Sequence, residues 1–84
     1  MFKTCVYKNP ECKCVQYDGT NHDEIEAEWG NKIGNNVYSD KSFHVRSEDS
    51  EITYCEVGDF IVEYDNHLAV HSEELFYKHF NIKE

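Results

Sequence analysis

Residues 60–70, Phe60-Ile61-Val62-Glu63-Tyr64-Asp65-Asn66-His67-Leu68-Ala69-Val70, decide how this chain folds. Phe60, Val62 and Tyr64 alternate with their neighbours, the period-two signature of a half-buried strand. Asp65-Asn66 has the short polar side chains of a tight turn, and His67 to Val70 reads as the returning strand. A short turn of this kind joins antiparallel neighbours, so the sheet is expected to be antiparallel.

Further strands are expected upstream, at Val37-Tyr38, Ser42 to Ser47 and Ile52 to Val57. Breaks fall at Asp40-Lys41, Glu48-Asp49-Ser50 and Gly58-Asp59. Cys12 to Tyr17 alternates well enough for a first strand, and Asp18-Gly19 ends it. Asn21 stands where a helix N-cap belongs, with Glu24 three residues on as in a capping box. Ile25 and Trp29 share one helical face, and Gly30 stops the helix. Asn31 to Asn36 is a polar connector.

Downstream, Ser72 caps a last helix, and Glu73 and Glu74 enter its first turn, where the helix dipole favours anions. Leu75, Phe76, His79 and Phe80 form its buried stripe, and Lys78 and Lys83 lie towards its end. The expected order is β-α-β-β-β-β-α. This is a small α+β domain spanning 1–84, with one antiparallel sheet and two short helices.

A chain of 84 residues buries a limited core, and small domains commonly add a staple. Aromatic residues at 14% give large contact areas. The 17 acidic residues against 8 basic ones set a net charge of −9. Such a surface repels nucleic acid and anionic membranes and suits a basic partner, while also keeping a small domain dispersed. Met1 to Thr4 leads straight into a cysteine with no apolar signal region, and no apolar run reaches the length of a membrane span. The expected location is the cytoplasm, where thiols stay reduced.

The four cysteines are Cys5, Cys12, Cys14 and Cys55. On an extended strand Cys12 and Cys14 share a face, roughly 6.5–7 Å apart. The Asn9-Pro10 turn can fold Cys5 back over them. Four soft thiolates in a reducing compartment fit a closed, structural Zn²⁺ site, the staple a small core lacks. His44, His67 and His71 are substitutes should Cys55 not be a ligand. Plain buried thiols are the alternative for each cysteine, and disulfides require an oxidising compartment.

No catalytic constellation emerges. There is no phosphate-cradling glycine loop and no nucleophile elbow, and the carboxylate pairs have no apolar pocket to raise a pKa. The chain is therefore expected not to be an enzyme. Glu48, Asp49 and Glu51 cluster in one turn, Glu56, Asp59, Glu63 and Asp65 follow on the next hairpin, and Glu73 and Glu74 open the last helix. Together they are expected to form an acidic, partner-binding face, with Tyr54, Tyr64 and Tyr77 as nearby anchors. Strand edges and turns are also charged simply to stay solvated.

Two stretches carry a resemblance. Cys14 to Gly30, with its Val-Gln-Tyr-Asp-Gly-Thr-Asn start, is similar to a segment of small phage and prophage proteins. Val57 to Phe80, with its Gly-Asp-Phe-Ile-Val strand, resembles the closing hairpin and helix of that family. The two cover about half the chain; residues 31–50 do not match, and the cysteines replace residues that are usually apolar in the family. In size, acidity and lack of catalytic motifs the chain also resembles anti-CRISPR inhibitors of Cas9. The resemblance implies a phage protein that evades host defence in the cytoplasm of a bacterial host, a monomer or small homo-oligomer. It would bind a basic bacterial protein such as a Cas9-type nuclease, without touching nucleic acid itself, and block DNA loading. The alternatives are another host DNA-binding or transcription protein as target, or a phage accessory protein with a structural zinc.

Overall fold

The computed structural model describes residues 2–6, 11–34, 42–46, 52–64 and 67–83. Strands β1 (Lys3–Val6) and β2 (Glu11–Gln16) pair antiparallel, with Cys5 opposite Cys12 and Lys3 opposite Cys14. Helix α1 (His22–Trp29) follows and runs into a 3₁₀ turn at Gly30–Lys32. Strands β3 (Phe43–Arg46) and β4 (Ile52–Cys55) form a separate two-stranded ribbon. Strands β5 (Phe60–Tyr64) and β6 (His67–His71) are the hairpin read from residues 60–70, paired from Phe60–His71 to Tyr64–His67. Helix α2 (Glu73–His79) and a last strand β7 (Asn81–Lys83) close the chain.

The α+β class with two helices and antiparallel pairing is as expected, but the strands divide differently. The main sheet has the order β6-β5-β2-β1-β7, and β3–β4 stands apart from it. Strands β1 and β7 were not expected. Each is short, and β1 exists because it lies between β2 and β7, where Thr4 faces both Lys13 and Lys83. Lys83 was expected in the last helix. The helix ends instead at His79, and Phe80 turns extended with φ −125° and ψ 152°. The expected strand at Val37-Tyr38 lies outside the described residues.

The main sheet is covered on both sides, so the start of β5 does not alternate: Phe60, Ile61 and Val62 are all inside, while Glu63 is half-buried. One side carries Val15, Tyr17, Ile61 and Leu68 under Ile25 and Trp29 of α1 and Phe43, Val45 and Cys55 of the ribbon. The other carries Cys5, Cys12, Cys14, Phe60 and Val62 under Phe76 and Phe80, at α2 and its end. Phe76 lies between two parallel rings, Phe60 at 3.8 Å and Phe80 at 5.1 Å between centroids.

The helix ends explain themselves locally. The hydroxyl of Ser72 accepts a hydrogen bond from Leu75 N at 3.3 Å, the expected cap. Asn21 occupies the cap position of α1, but its side chain makes no cap bond. It turns back to the chain it left: Oδ1 accepts from Asp18 N at 3.0 Å and Nδ2 donates to Gln16 O at 2.9 Å. Asp18 in turn accepts from Thr20 N and Oγ1, so the β2–α1 connection is a closed polar loop. The Cα radius of gyration, 12.0 Å, fits one compact domain of this length. Among the described residues no helix is long and apolar enough to cross a membrane.

Candidate functional site

Three thiols meet beneath α2. Cys12 and Cys14 point to the same side of β2, and Cys5 comes opposite Cys12 on β1, as the hairpin reading expects. Their exposures are 0%, 5% and 1% for Cys5, Cys12 and Cys14. Cys5 is the central member: it stands directly opposite Cys12 and diagonal to Cys14 on the same face. Burial pushes the Cys5 thiol well above its ordinary value, and the neighbouring Cys14 and Cys12 add to the rise. Burial also raises Cys14, while the hydrogen bond from Cys5 and the charge of Lys3 oppose that rise.

Cys55 is not with them. It packs with Val15 and Ile61, whose side chains leave the sheet on the opposite side from Cys14 and Val62. The sheet therefore stands between Cys55 and the other three thiols. Burial pushes the Cys55 thiol up to about 12, with Asp59 and Glu56 reinforcing the shift. The substitute histidines lie elsewhere too. His44 rests on Tyr54 in the ribbon, and His67 is exposed on β6. His71 reaches the α2 side, but it contacts Phe80 and lies on β6, with β5 between it and β2.

One cavity reaches the trio: about 210 Å³, it is lined by Lys3, Cys14, Phe60, Tyr77 and Ile82 among others. A second, shallower and about 370 Å³, opens across the sheet on the α1 side, beside Phe2, Thr4, Glu11 and Lys13. Lys3 thus borders the approach to Cys14.

The expected acidic face divides. Glu48, Asp49, Glu51 and Asp65 lie outside the described residues. Glu63 is spent inside the fold: its Oε2 accepts the indole N–H of Trp29 at 3.0 Å on the α1 side. Glu56 and Asp59 sit in the turn before β5, where Asp59 Oδ2 accepts from Glu56 N at 3.1 Å. Gly58 has φ +99° there, a conformation that L side chains rarely adopt.

That turn meets Glu73, and also Asp18, which sequence spacing did not group with the acids. Gln16 Nε2 donates both to Gly58 O and to Glu73 Oε2, each at 3.0 Å, tying the turn to the start of α2. Tyr17 N donates to Asp59 O and Gly58 N to Tyr17 O, which brings Asp18 alongside. Asp18, Glu56, Asp59 and Glu73 therefore share one end of the sheet. Exposed Val57 lies in the turn and exposed Tyr77 on α2, its ring 5.4 Å from Phe60. The hydrogen bonds from Thr20 hold the Asp18 carboxyl below its ordinary value.

A third constellation lies at the start of α1, where donor atoms of His22, Asp23 and Glu26 fall within 4.8 Å of one another. His22 Nε2 is 2.8 Å from Gly34 O; a carbonyl only accepts, so Nε2 holds the proton and Nδ1 faces Asp23 Oδ1 at 3.7 Å. The positive end of the helix dipole opposes a cation there, and Asp23 is fully exposed. Protein-family profiles, curated proteins and solved structures yield no match to this chain.

Proposed function

We propose that this is a binding protein that engages a basic, nucleic-acid-handling bacterial protein through the carboxylate end of its sheet. The reading rests on one observation: Asp18, Glu56 and Glu73 converge there beside the exposed apolar surfaces of Val57 and Tyr77. Interfaces of this kind use aromatic anchors for affinity and charge for encounter rate and orientation. The net charge of −9 favours a Lys/Arg-rich partner over nucleic acid itself. A small phage-encoded inhibitor of the anti-CRISPR class, docking on the DNA channel of a Cas9-type nuclease, fits this chemistry, and so does another host DNA-binding or transcription protein.

The test is DNA loading by a guide-charged Cas9, followed by fluorescence anisotropy at moderate and high salt. The chain should block loading, and the block should weaken steeply as salt rises. The pair Glu56→Lys and Glu73→Lys should abolish it while leaving the circular dichroism spectrum unchanged. Full inhibition by that variant would sink the carboxylate-end reading. If the nuclease is untouched, capture of another basic host protein, lost in the same variant, would keep the mode and change the target.

A second reading is an accessory protein with a structural metal, and the buried thiol trio favours it. Its contacts would rest on apolar area and would be insensitive to both salt and the charge reversals.

A further inference from the structure

The thiol trio is a separate feature from the carboxylate end, and its surroundings define what it can hold. Cys5, Cys12 and Cys14 are buried among Phe60, Val62, Phe76 and Phe80. Among the described residues no buried polar or charged side chain accompanies them. Cys55 is across the sheet, and His71 is turned to Phe80. On β1 and β2 beneath α2, sulfur is thus the only buried side-chain donor among the described residues; His71 Nε2 is buried in the same layer but two strands away on β6. A structural zinc centre needs a fourth ligand to close its tetrahedron. A soft d¹⁰ monovalent cation is satisfied by fewer ligands and selects thiolates over oxygen.

Geometry and charge point the same way. Cross-strand pairing brings Cys5 directly opposite Cys12 and diagonal to Cys14 on the same face, so Cys5 neighbours both others. The three sulfurs do not all converge within 4.8 Å in the metal-free chain, so an ion would draw Cys12 and Cys14 in by side-chain rotation about Cys5. Thiolates around a monovalent ion leave net negative charge in an apolar layer, which is costly without a counter-charge. Lys3 supplies one: it pairs with Cys14 across the strands and borders the cavity that reaches Cys14. That cavity also gives an ion a path to Cys14.

We propose that Cys5, Cys12 and Cys14 form an all-thiolate site for a soft monovalent cation of the Cu(I) class, enclosed between the main sheet and α2. Binding exchanges thiol protons for the ion, so uptake releases protons to solvent. Cys55 takes no part.

The experiment is an anaerobic titration of the reduced full chain with Cu(I), buffered by a chromophoric Cu(I) chelator. One Cu(I) per chain should be withdrawn from the chelator, with a thiolate-to-copper absorption band in the ultraviolet. X-ray absorption at the copper edge should show sulfur neighbours alone. Cys55→Ala should bind as the wild type does, and Cys5→Ala should lose one-to-one binding. Should Cys5→Ala fail to fold, the wild type still decides the matter: bound copper should slow alkylation of Cys5, Cys12 and Cys14 and leave the rate at Cys55 unchanged. No uptake, nitrogen or oxygen neighbours, or protection of Cys55 would overturn the proposal. So would Zn²⁺ binding one per chain with all four cysteines protected, which is the four-thiol zinc centre instead.

Discussion

The two sides of the main sheet solve the same burial problem with different chemistry. The α1 side is a broad aliphatic and aromatic layer, closed by a helix and a two-stranded ribbon, with one thiol inside it. The α2 side is narrower, closed by stacked phenylalanines, and holds three thiols. The first uses its polar groups to fasten the layer: Glu63 reaches the indole of Trp29. The second gathers three thiols where the first has one among its hydrocarbon. Buried thiols pack like small apolar residues, so both layers stabilise the fold. The proposed ion site would add chemistry on the α2 side alone.

Truncation is the strongest way to break this comparison. Phe76→Ala should cost about 3–5 kcal/mol, because it removes the ring between two stacked partners and leaves a cavity. Ile25→Ala on the opposite side should cost about 2–5 kcal/mol, since Ile25 is fully buried. Urea unfolding measures both. A cost under about 1 kcal/mol for Phe76→Ala would mean that α2 does not seal the thiol layer.

Alkaline titration should come next in size. The thiols of Cys5, Cys14 and Cys55 are raised above the ordinary 9.0, so the unfolded chain loses these protons first. Stability should be full below pH 9 and fall as the pH rises, across a window reaching about 12 for Cys55. Cys55→Ala should remove only the share belonging to the α1 side. A metal-free chain as stable at pH 10.5 as at pH 8 would contradict the burial of all three thiols (pH values of about one and a half above and one below the ordinary thiol value).

Glu63→Ala should cost about 1.5–3 kcal/mol, since it leaves the Trp29 N–H without its carboxylate. Glu63→Gln keeps an acceptor and should cost less. Neither should alter partner binding if the carboxylate end is the interface, a sharp contrast with Glu73→Lys. Ser72→Ala should cost about 1 kcal/mol by removing the cap of α2.

The smallest effect expected is acidic. Burial, with a contribution from His79, lowers the pKa of His71 below 6.5, and its Nε2 is buried without a hydrogen-bond partner. The unfolded chain takes up that proton first, so stability should decline as the pH falls below 6.5. His71→Leu should flatten that part of the profile. An unchanged slope would assign the decline to another group.

Much of this architecture was legible from short-range pattern. Alternation around Asp65-Asn66 gives the β5–β6 hairpin, and the Cys-x-Cys spacing puts two thiols on one face. Ser72 is a cap in sequence and in structure. Asn21 shows the limit. Its position marks the start of α1, but its amide found closer partners in Asp18 and Gln16, which the capping pattern does not contain. The acidic face shows the limit more sharply. Glu63 looked like a surface acid among acids, yet its partner is an indole thirty-four residues away. Asp18 was missed at the carboxylate end because it comes beside Glu56 and Glu73 only through Tyr17, Gln16 and the turn at Gly58.

By itself the sequence determined the class of the protein: strand periodicity, capping residues and turns act over a few neighbours, and those interactions are written locally. It determined the charge and the presence of four thiols. Tertiary structure decided the rest. Strands β1 and β7 are too short to declare themselves and form only because each completes a ladder with residues distant in the chain. Which thiols share a site depends on which side of a sheet each strand presents, and a one-residue change of parity moves a side chain to the other layer. That parity joins Cys5, Cys12 and Cys14 under α2; Cys55 lies across the sheet because the ribbon that carries it packs on the α1 side.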